Sequence, residues 1–187
     1  MGMPDTLTPV YWTADMARRL PADGNRYEVV HGELLVTPAP RLWHQRLVLR
    51  LAGALQDYLS KHTGRGVAFT SPADISWGPD VLVQPDVFVV PVDQARTLEW
   101  SGIRDLLLVA EVLSPSTPRH DRFTKRRRYQ EAGVPLYWIV DGDARQVEVW
   151  TPEDVSPRIE RDRLTWKLAG VDRGFMLALK KLFQPIE

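Results

Sequence analysis

Two apolar runs, each carrying a single carboxylate, constrain this 187-residue chain more than any other feature. Asp86-Val-Phe-Val-Val90 and Leu106-Leu-Leu-Val-Ala-Glu111-Val-Leu113 are nearly all apolar, the composition of strands covered on both faces. Strands of that kind sit inside a sheet that helices sandwich, which predicts a mixed α/β architecture. An unpaired carboxylate there costs several kcal/mol or shifts its pKa. Two of them close together add about 4 kcal/mol of repulsion at about 4 Å and moderate effective dielectric. A divalent cation between them removes that cost, and oxygen ligands with a partly open shell suit Mg²⁺. If the two strands are antiparallel neighbours, Asp86 at the start of one meets Glu111 near the end of the other. The alternative is that each acid caps a strand end or pairs with an arginine.

The rest of the chain supplies the expected layers. Thr13 and Asp15 read as an N-cap and first-turn acid of a short helix to Leu20. Tyr27 to His31 and Glu33 to Thr37 flank Gly32 as a hairpin. From Leu42 to about His62, Leu47, Val48, Leu51, Ala52, Leu55, Tyr58 and Leu59 recur at helical spacing. Val67 to Thr70 and Ile75 to Val83 are strand-like, punctuated by Pro72, Gly78 and Pro79. Pro91 to Asp105 is long enough to join its flanking strands in either orientation. Pro118 suits a helix's first turn, with Thr117 or Ser116 as cap, and Gly133 and Pro135 end that helix. Leu106 to Asp141 then predicts a parallel strand–helix–strand crossover. Leu136 to Asp141 and Gln146 to Trp150 form a hairpin around Gly142, and the tail from Val155 adds peripheral strands. The length fits one domain over 1–187, with its core at about 26–150.

Composition excludes several chemistries. There is no cysteine, hence no disulfide, thiolate metal site or thiol nucleophile. Lys+Arg and Asp+Glu are 24 each, so any contact with nucleic acid comes from a local patch. No apolar run approaches a membrane span. No secretory signal is visible, so with no cysteine the expected location is cytoplasmic. Gly2 and Thr6 fit the myristoylation spacing, a pattern short enough to recur by chance.

The one basic cluster is Arg119-His-Asp-Arg-Phe-Thr-Lys-Arg-Arg-Arg128, with six Lys/Arg in ten residues. Asp121, Lys125 and Tyr129 fall on one helical face, with Arg122, Arg126 and Arg127 elsewhere. A solvated helix face is the plain reading. The sharper one is a phosphate-binding edge made by Arg119, Arg122, Arg126, Arg127 and Arg128, with Lys125 turned inward. His44 lies on the apolar stripe of the long helix, as an interior histidine or a residue at the edge of a site. Glu33 and Asp74 are spare acids for a metal site.

Tyr27-Glu-Val-Val-His-Gly-Glu33, His44, Gln84-Pro-Asp86, Ala110-Glu-Val-Leu-Ser-Pro-Ser-Thr117, Asp121, Lys125, Tyr129 and Ala132-Gly-Val-Pro-Leu-Tyr-Trp-Ile-Val-Asp141 together resemble one bacterial family. It is the restriction-endonuclease-like family, formerly of unknown function, within the PD-(D/E)xK nuclease superfamily. The resemblance implies a central mixed β-sheet flanked by helices, with an N-terminal hairpin. It makes Asp86 and Glu111 ligands of Mg²⁺ or Mn²⁺, with the Val112 carbonyl a third. The metal would activate water and stabilise charge on a DNA phosphate. Leu113 stands where the parent motif has lysine, and the family pattern offers Lys125, preceded by Asp121, in its place. Leu136 replaces a glutamate common in relatives, a change expected at a surface or interface pair.

Three readings follow. The first is a metal-dependent DNA endonuclease. With no sequence-reading module visible, it needs a homodimer or a partner protein for specificity. The second is a catalytically inactive nuclease fold used as a binding module. The third, a two-carboxylate sugar hydrolase, leaves Lys125 and the basic helix unexplained. In a live site, Asp86→Asn is expected to stabilise the metal-free protein by relieving repulsion.

Overall fold

The computed structural model describes residues 10–185, so Gly2 and Thr6 lie outside the described residues. Helix α1 (Ala14–Arg18) starts as its sequence predicts, with the Thr13 side chain accepting from Met16 N. Strands β1 (Arg26–Val30) and β2 (Glu33–Thr37) form the expected hairpin. Its turn residues His31 and Gly32 both have positive φ, the two-residue turn that matches strand twist. Helix α2 (Leu42–Leu59) buries Leu47, Val48, Leu51, Leu55, Tyr58 and Leu59. It ends three residues before His62 because the last turn tightens, with Lys61 N and His62 N donating to Tyr58 O and Leu59 O.

Strands β3 (Val67–Thr70), β4 (Ile75–Gly78), β5 (Val81–Val83) and β6 (Val87–Val90) come next. A short helix, α3 (Val92–Ala95), and one 3-10 turn (Trp100–Gly102) fill the connection to β7 (Leu108–Val112). The following helix opens with a π-helical stretch, His120–Lys125, and continues as α4 (Arg126–Glu131). Thr117 does not cap it. Its Oγ1 accepts instead from Ser114 N at 3.1 Å and fixes the loop before the helix. Gly133, at φ +70°, ends the helix as expected. Strands β8 (Tyr137–Asp141), β9 (Gln146–Trp150), β10 (Arg158–Glu160), β11 (Arg163–Trp166) and β12 (Phe175–Ala178) precede the closing helix α5 (Leu179–Leu182).

A six-stranded mixed sheet ordered β10-β9-β8-β7-β6-β3 forms the centre, and β7–β8 is its parallel pair. The N-terminal hairpin extends into a second sheet, β2-β1-β5-β4, while β11 and β12 pair apart. Alternation splits the central strands cleanly. Val87, Val89, Leu108, Ala110, Trp138 and Val140 face α2, and Phe88, Val90, Val109, Tyr137 and Ile139 face the helix that follows β7. Full burial of Leu51 or Leu55 contributes about 1.5–3 kcal/mol each. The tail seals the α2 face by burying Leu164, Phe175, Leu179 and Leu182, while half-buried Leu136 packs against the same core. Among the described residues no helix is long and apolar enough to cross a membrane.

Candidate active site

The antiparallel register Val87–Ala110 between β6 and β7 carries Asp86 opposite Glu111. Asp86 N lies 3.4 Å from Glu111 Oε2, so the two acids meet as the sequence predicts. Asp86 sits just before β6, where the chain turns out of the sheet. Its Oδ1 accepts from Arg26 Nη1 at 2.8 Å; its Oδ2 accepts from Val112 N at 2.9 Å and contacts His44 Nε2 at 3.1 Å. Residue 44 is thus at the site, brought there by the first turn of α2.

Glu111 lies on the sheet face that packs against the helix after β7. Lys125 Nζ, 1% exposed, comes from that helix and stands 3.1 Å from Glu111 Oε1, 2.7 Å from Glu28 Oε2 and 3.6 Å from Asp121 Oδ1. Tyr129 Oη donates to the same Glu111 oxygen at 3.0 Å. The helical spacing of Asp121, Lys125 and Tyr129 therefore does point all three inward, and all three are buried.

Electrostatics divide the cluster. Burial pushes the Asp86 carboxyl up, but the His44 hydrogen bond and the charges of Arg26 and Lys125 outweigh it and hold the group well below the usual carboxylate range. Glu111 goes the other way: burial raises it strongly, Lys125 opposes, and Asp86, Asp121 and Glu28 add to the rise. Burial also raises Asp121, against the pull of Lys125 and Thr117. Lys125 is disfavoured by burial, yet Glu111, Glu28 and Asp121 more than restore its charge and lift it above an ordinary lysine. The repulsion the sequence predicts is real, but it falls on Glu111. Asp86 is compensated by its Arg26, Val112 and His44 contacts, which argue that Asp86→Asn destabilises the metal-free protein, the opposite of the sequence expectation.

Two members of the cluster are absent from the sequence-predicted set. Glu28 is fully buried in β1, accepting from Gln84 N at 2.8 Å while it pairs with Lys125. Arg26, two residues earlier and on the same side of β1, binds Asp86. The signal for Glu28 was available, since Tyr27-Glu28-Val29-Val30 is another apolar run with one lone carboxylate. Of the predicted spare acids, Glu33 is exposed beside the hairpin turn and does not join the cluster: it pairs with Val30, two residues along the strand from Leu35, which is the residue opposite Glu28. Asp74 lines the cleft but is held by Gln84 Nε2 at 3.0 Å and Arg18 Nε at 3.4 Å.

Asp86, His44 and Arg26 form part of the lining of a cleft of about 820 Å³, walled by α1, the 38–41 segment and the Ser114–Thr117 loop. Lys125 and Glu111 are buried and are not among the residues that line it. The basic helix is elsewhere. Arg122 closes on Glu148 at 2.6 Å and Asp141 at 3.3 Å, Arg126 stacks over Trp150, Arg127 pairs with Glu131, and Arg128 lies over Trp77. Arg119 is exposed. None of these five arginines is among the residues lining the cleft.

Residues 14–179 match the Uma2 family, described as "Putative restriction endonuclease". Among solved structures, a putative nuclease of the DUF820 group from Anabaena variabilis superposes with a TM-score of 0.74 at 18% identity, covering 91% of this chain and 97% of that one. That likeness is one of fold: a central mixed sheet flanked by helices. No match was found among the curated proteins.

Proposed function

The chain belongs to the Uma2 family of putative restriction endonucleases, and on that premise we propose that it hydrolyses phosphodiester bonds of DNA with one Mg²⁺ or Mn²⁺. One observation carries the reading. Four buried carboxylates, Glu28, Asp86, Glu111 and Asp121, face two permanent cations, Arg26 and Lys125, within one contact network. With all four ionised the deficit is two positive charges, which one divalent cation supplies; without it, burial and the neighbouring acids raise Glu111 instead.

The donor set fits such an ion. Asp86 and Glu111 are adjacent, and each keeps lone pairs that no donor described above occupies. The Val112 carbonyl leaves the strand on the same side as its N–H, which points at Asp86. Among the described residues no group of three or more His, Asp or Glu side chains is disposed to hold an ion, so Asp86, Glu111 and the Val112 carbonyl would hold it, with water completing the shell. The ion would lower the pKa of a bound water and offset charge on the scissile phosphate. The protein's own residues do the positioning. Val112 N and His44 fix Asp86 Oδ2, Tyr129 and Lys125 fix Glu111 Oε1, and Lys125 keeps Glu28 and Asp121 from repelling the pair. Specificity then comes from a second copy of the chain or a partner protein.

A second reading, a nuclease fold without catalysis, draws on the closure of the cluster: Lys125 is buried and does not line the cleft, and Arg26 covers Asp86 Oδ1. Nicking of supercoiled plasmid separates the two. The nuclease reading expects cutting with Mg²⁺ or Mn²⁺, none with EDTA, and none by Glu111→Ala purified identically. Equal cutting by both proteins, or no cutting by either with any ion, overturns it.

A further inference from the structure

We infer that Arg26, and not the basic helix, is the residue whose charge meets the substrate phosphate at the floor of the cleft. The inference rests on the nucleic-acid reading above and assigns a contact within that site.

The other cations are disqualified one by one. Lys125 does not line the cleft and is 1% exposed, with Glu28, Glu111 and Asp121 around its ammonium. A substrate in the cleft does not reach it. Arg122, Arg126, Arg127 and Arg128 are off the cleft and engaged with Glu148, Trp150, Glu131 and Trp77. Arg18, on the rim, is shared between Asp15 and Asp74. Arg41 lines the rim too, but it is exposed at the start of α2 and does not touch the acid cluster.

Arg26 differs in three respects. Its side chain is 18% exposed and lines the cleft, so it is reachable. It touches Asp86, the candidate cation ligand, at 2.8 Å, which puts its charge beside the reacting phosphate. It is also held in place. Nη1 is shared among Asp86 Oδ1, the Gln84 carbonyl at 3.0 Å and Ser71 Oγ at 3.4 Å, while Nε is buried with no hydrogen-bond partner, 3.7 Å from Glu28 Oε2. A guanidinium carries five donors in a rigid planar fork that matches phosphate oxygens. Here Nη1 is anchored and Nε is buried against Glu28, which leaves Nη2, with no hydrogen bond among the described residues, as the free end of the fork. An ion held by Asp86 would weaken the Asp86–Arg26 pair and so leave more of the guanidinium for a phosphate oxygen. Alternation makes this position possible, because Arg26 and Glu28 share one face of β1: one lines the cleft and the other is fully buried.

The test is binding, read separately from cleavage. A fluorescein-labelled 12-nucleotide strand and its duplex are titrated with Ca²⁺ in place of Mg²⁺, following anisotropy at several salt concentrations. Arg26→Gln is expected to weaken binding about tenfold or more and to flatten the salt dependence by about one unit of slope. Arg127→Gln is expected to stay within about twofold of wild type, as befits a solvated contact. Arg26→Lys keeps the charge but not the fork. It is expected to fold, keep most of the salt slope and bind more weakly than wild type. That variant carries the test if Arg26→Gln does not fold, and binding equal to wild type by Arg26→Lys would then overturn the fork assignment. Wild-type binding by Arg26→Gln, or an equal loss in Arg127→Gln, overturns the proposal and leaves metal-dependent nicking to stand or fall alone. Binding that depends on Arg26 in a protein that never nicks plasmid sinks the catalytic reading and upholds this one. No binding of either probe by wild type overturns both.

Discussion

Neutralising the two central acids has opposite effects on the metal-free protein. Asp86 accepts from Arg26, Val112 N and the His44 ring at 2.8, 2.9 and 3.1 Å. Asparagine offers one oxygen for these contacts and turns an amide N–H toward another donor. Breaking a buried ion pair costs about 3–5 kcal/mol, and Arg26 retains the Gln84 carbonyl, so Asp86→Asn should lose about 3 kcal/mol. At this chain length that is a fall in Tm of about 6–12 °C. Glu111 is the reverse case. Its carboxyl is raised well above an ordinary glutamate, first by burial and then by Asp86, Asp121 and Glu28. The folded protein therefore holds a proton that the unfolded chain releases, and stability falls as pH rises from the ordinary glutamate value toward the raised one. Each pH unit in that window costs wild type about 1.4 kcal/mol, and glutamine does not pay it. Lys125 loses one partner but keeps Glu28 at 2.7 Å. Glu111→Gln should thus equal or exceed wild type at neutral pH, with its advantage shrinking to nothing or reversing as pH falls below the glutamate range. Urea unfolding in EDTA across pH, with unchanged m-values, measures both. Asp86→Asn as stable as wild type, or Glu111→Gln as damaged as Asp86→Asn, would refute the charge assignment.

Other variants probe the same packing. Lys125→Met leaves Glu28, Glu111 and Asp121 without their shared cation and should cost about 3–5 kcal/mol, read by urea unfolding; a loss below about 1 kcal/mol would contradict the network. Tyr129→Phe removes the 3.0 Å bond to Glu111 and should cost about 0.5–1.5 kcal/mol while leaving the fold intact by circular dichroism. At Gly142 a Cβ would meet Leu47 Cδ1 and Trp43 Nε1 at 2.8 Å, so Gly142→Ala should cost about 1–3 kcal/mol in the same assay. Mg²⁺ at a hundredfold excess over its Kd should stabilise wild type by about 2.7 kcal/mol and leave Glu111→Ala unmoved in a thermal melt.

Much of this was legible beforehand because it rests on local pattern. The apolar runs around Asp86 and Glu111 announced strands buried on both faces, and the stripe from Leu47 to Leu59 announced the helix that covers one of them. Lys125 was legible from the family resemblance and its spacing from Asp121 and Tyr129. The lone-carboxylate signal at Glu28 was outweighed by the hairpin reading, since a hairpin usually keeps one face wet and an acid there looks solvated. The structure buries that face because Val30 and Leu35, on the same side as Glu28, join one core with Phe88, Val109 and Tyr129, residues more than fifty positions away along the chain that no local pattern brings together. Arg26 followed Glu28 out of sight. The π-helical start at His120–Lys125 has no sequence signature, and Thr117 was misassigned as a cap because Ser114 competes for its hydroxyl.

Four buried acids facing two cations would leave room for one divalent ion, held by Asp86 and Glu111. Counting Mn²⁺ bound to purified protein by electron paramagnetic resonance tests it without needing the right substrate. Wild type should bind one Mn²⁺ per chain, displaced by Mg²⁺, and Glu111→Ala none. No bound Mn²⁺ in wild type, or the same count in both proteins, would contradict it.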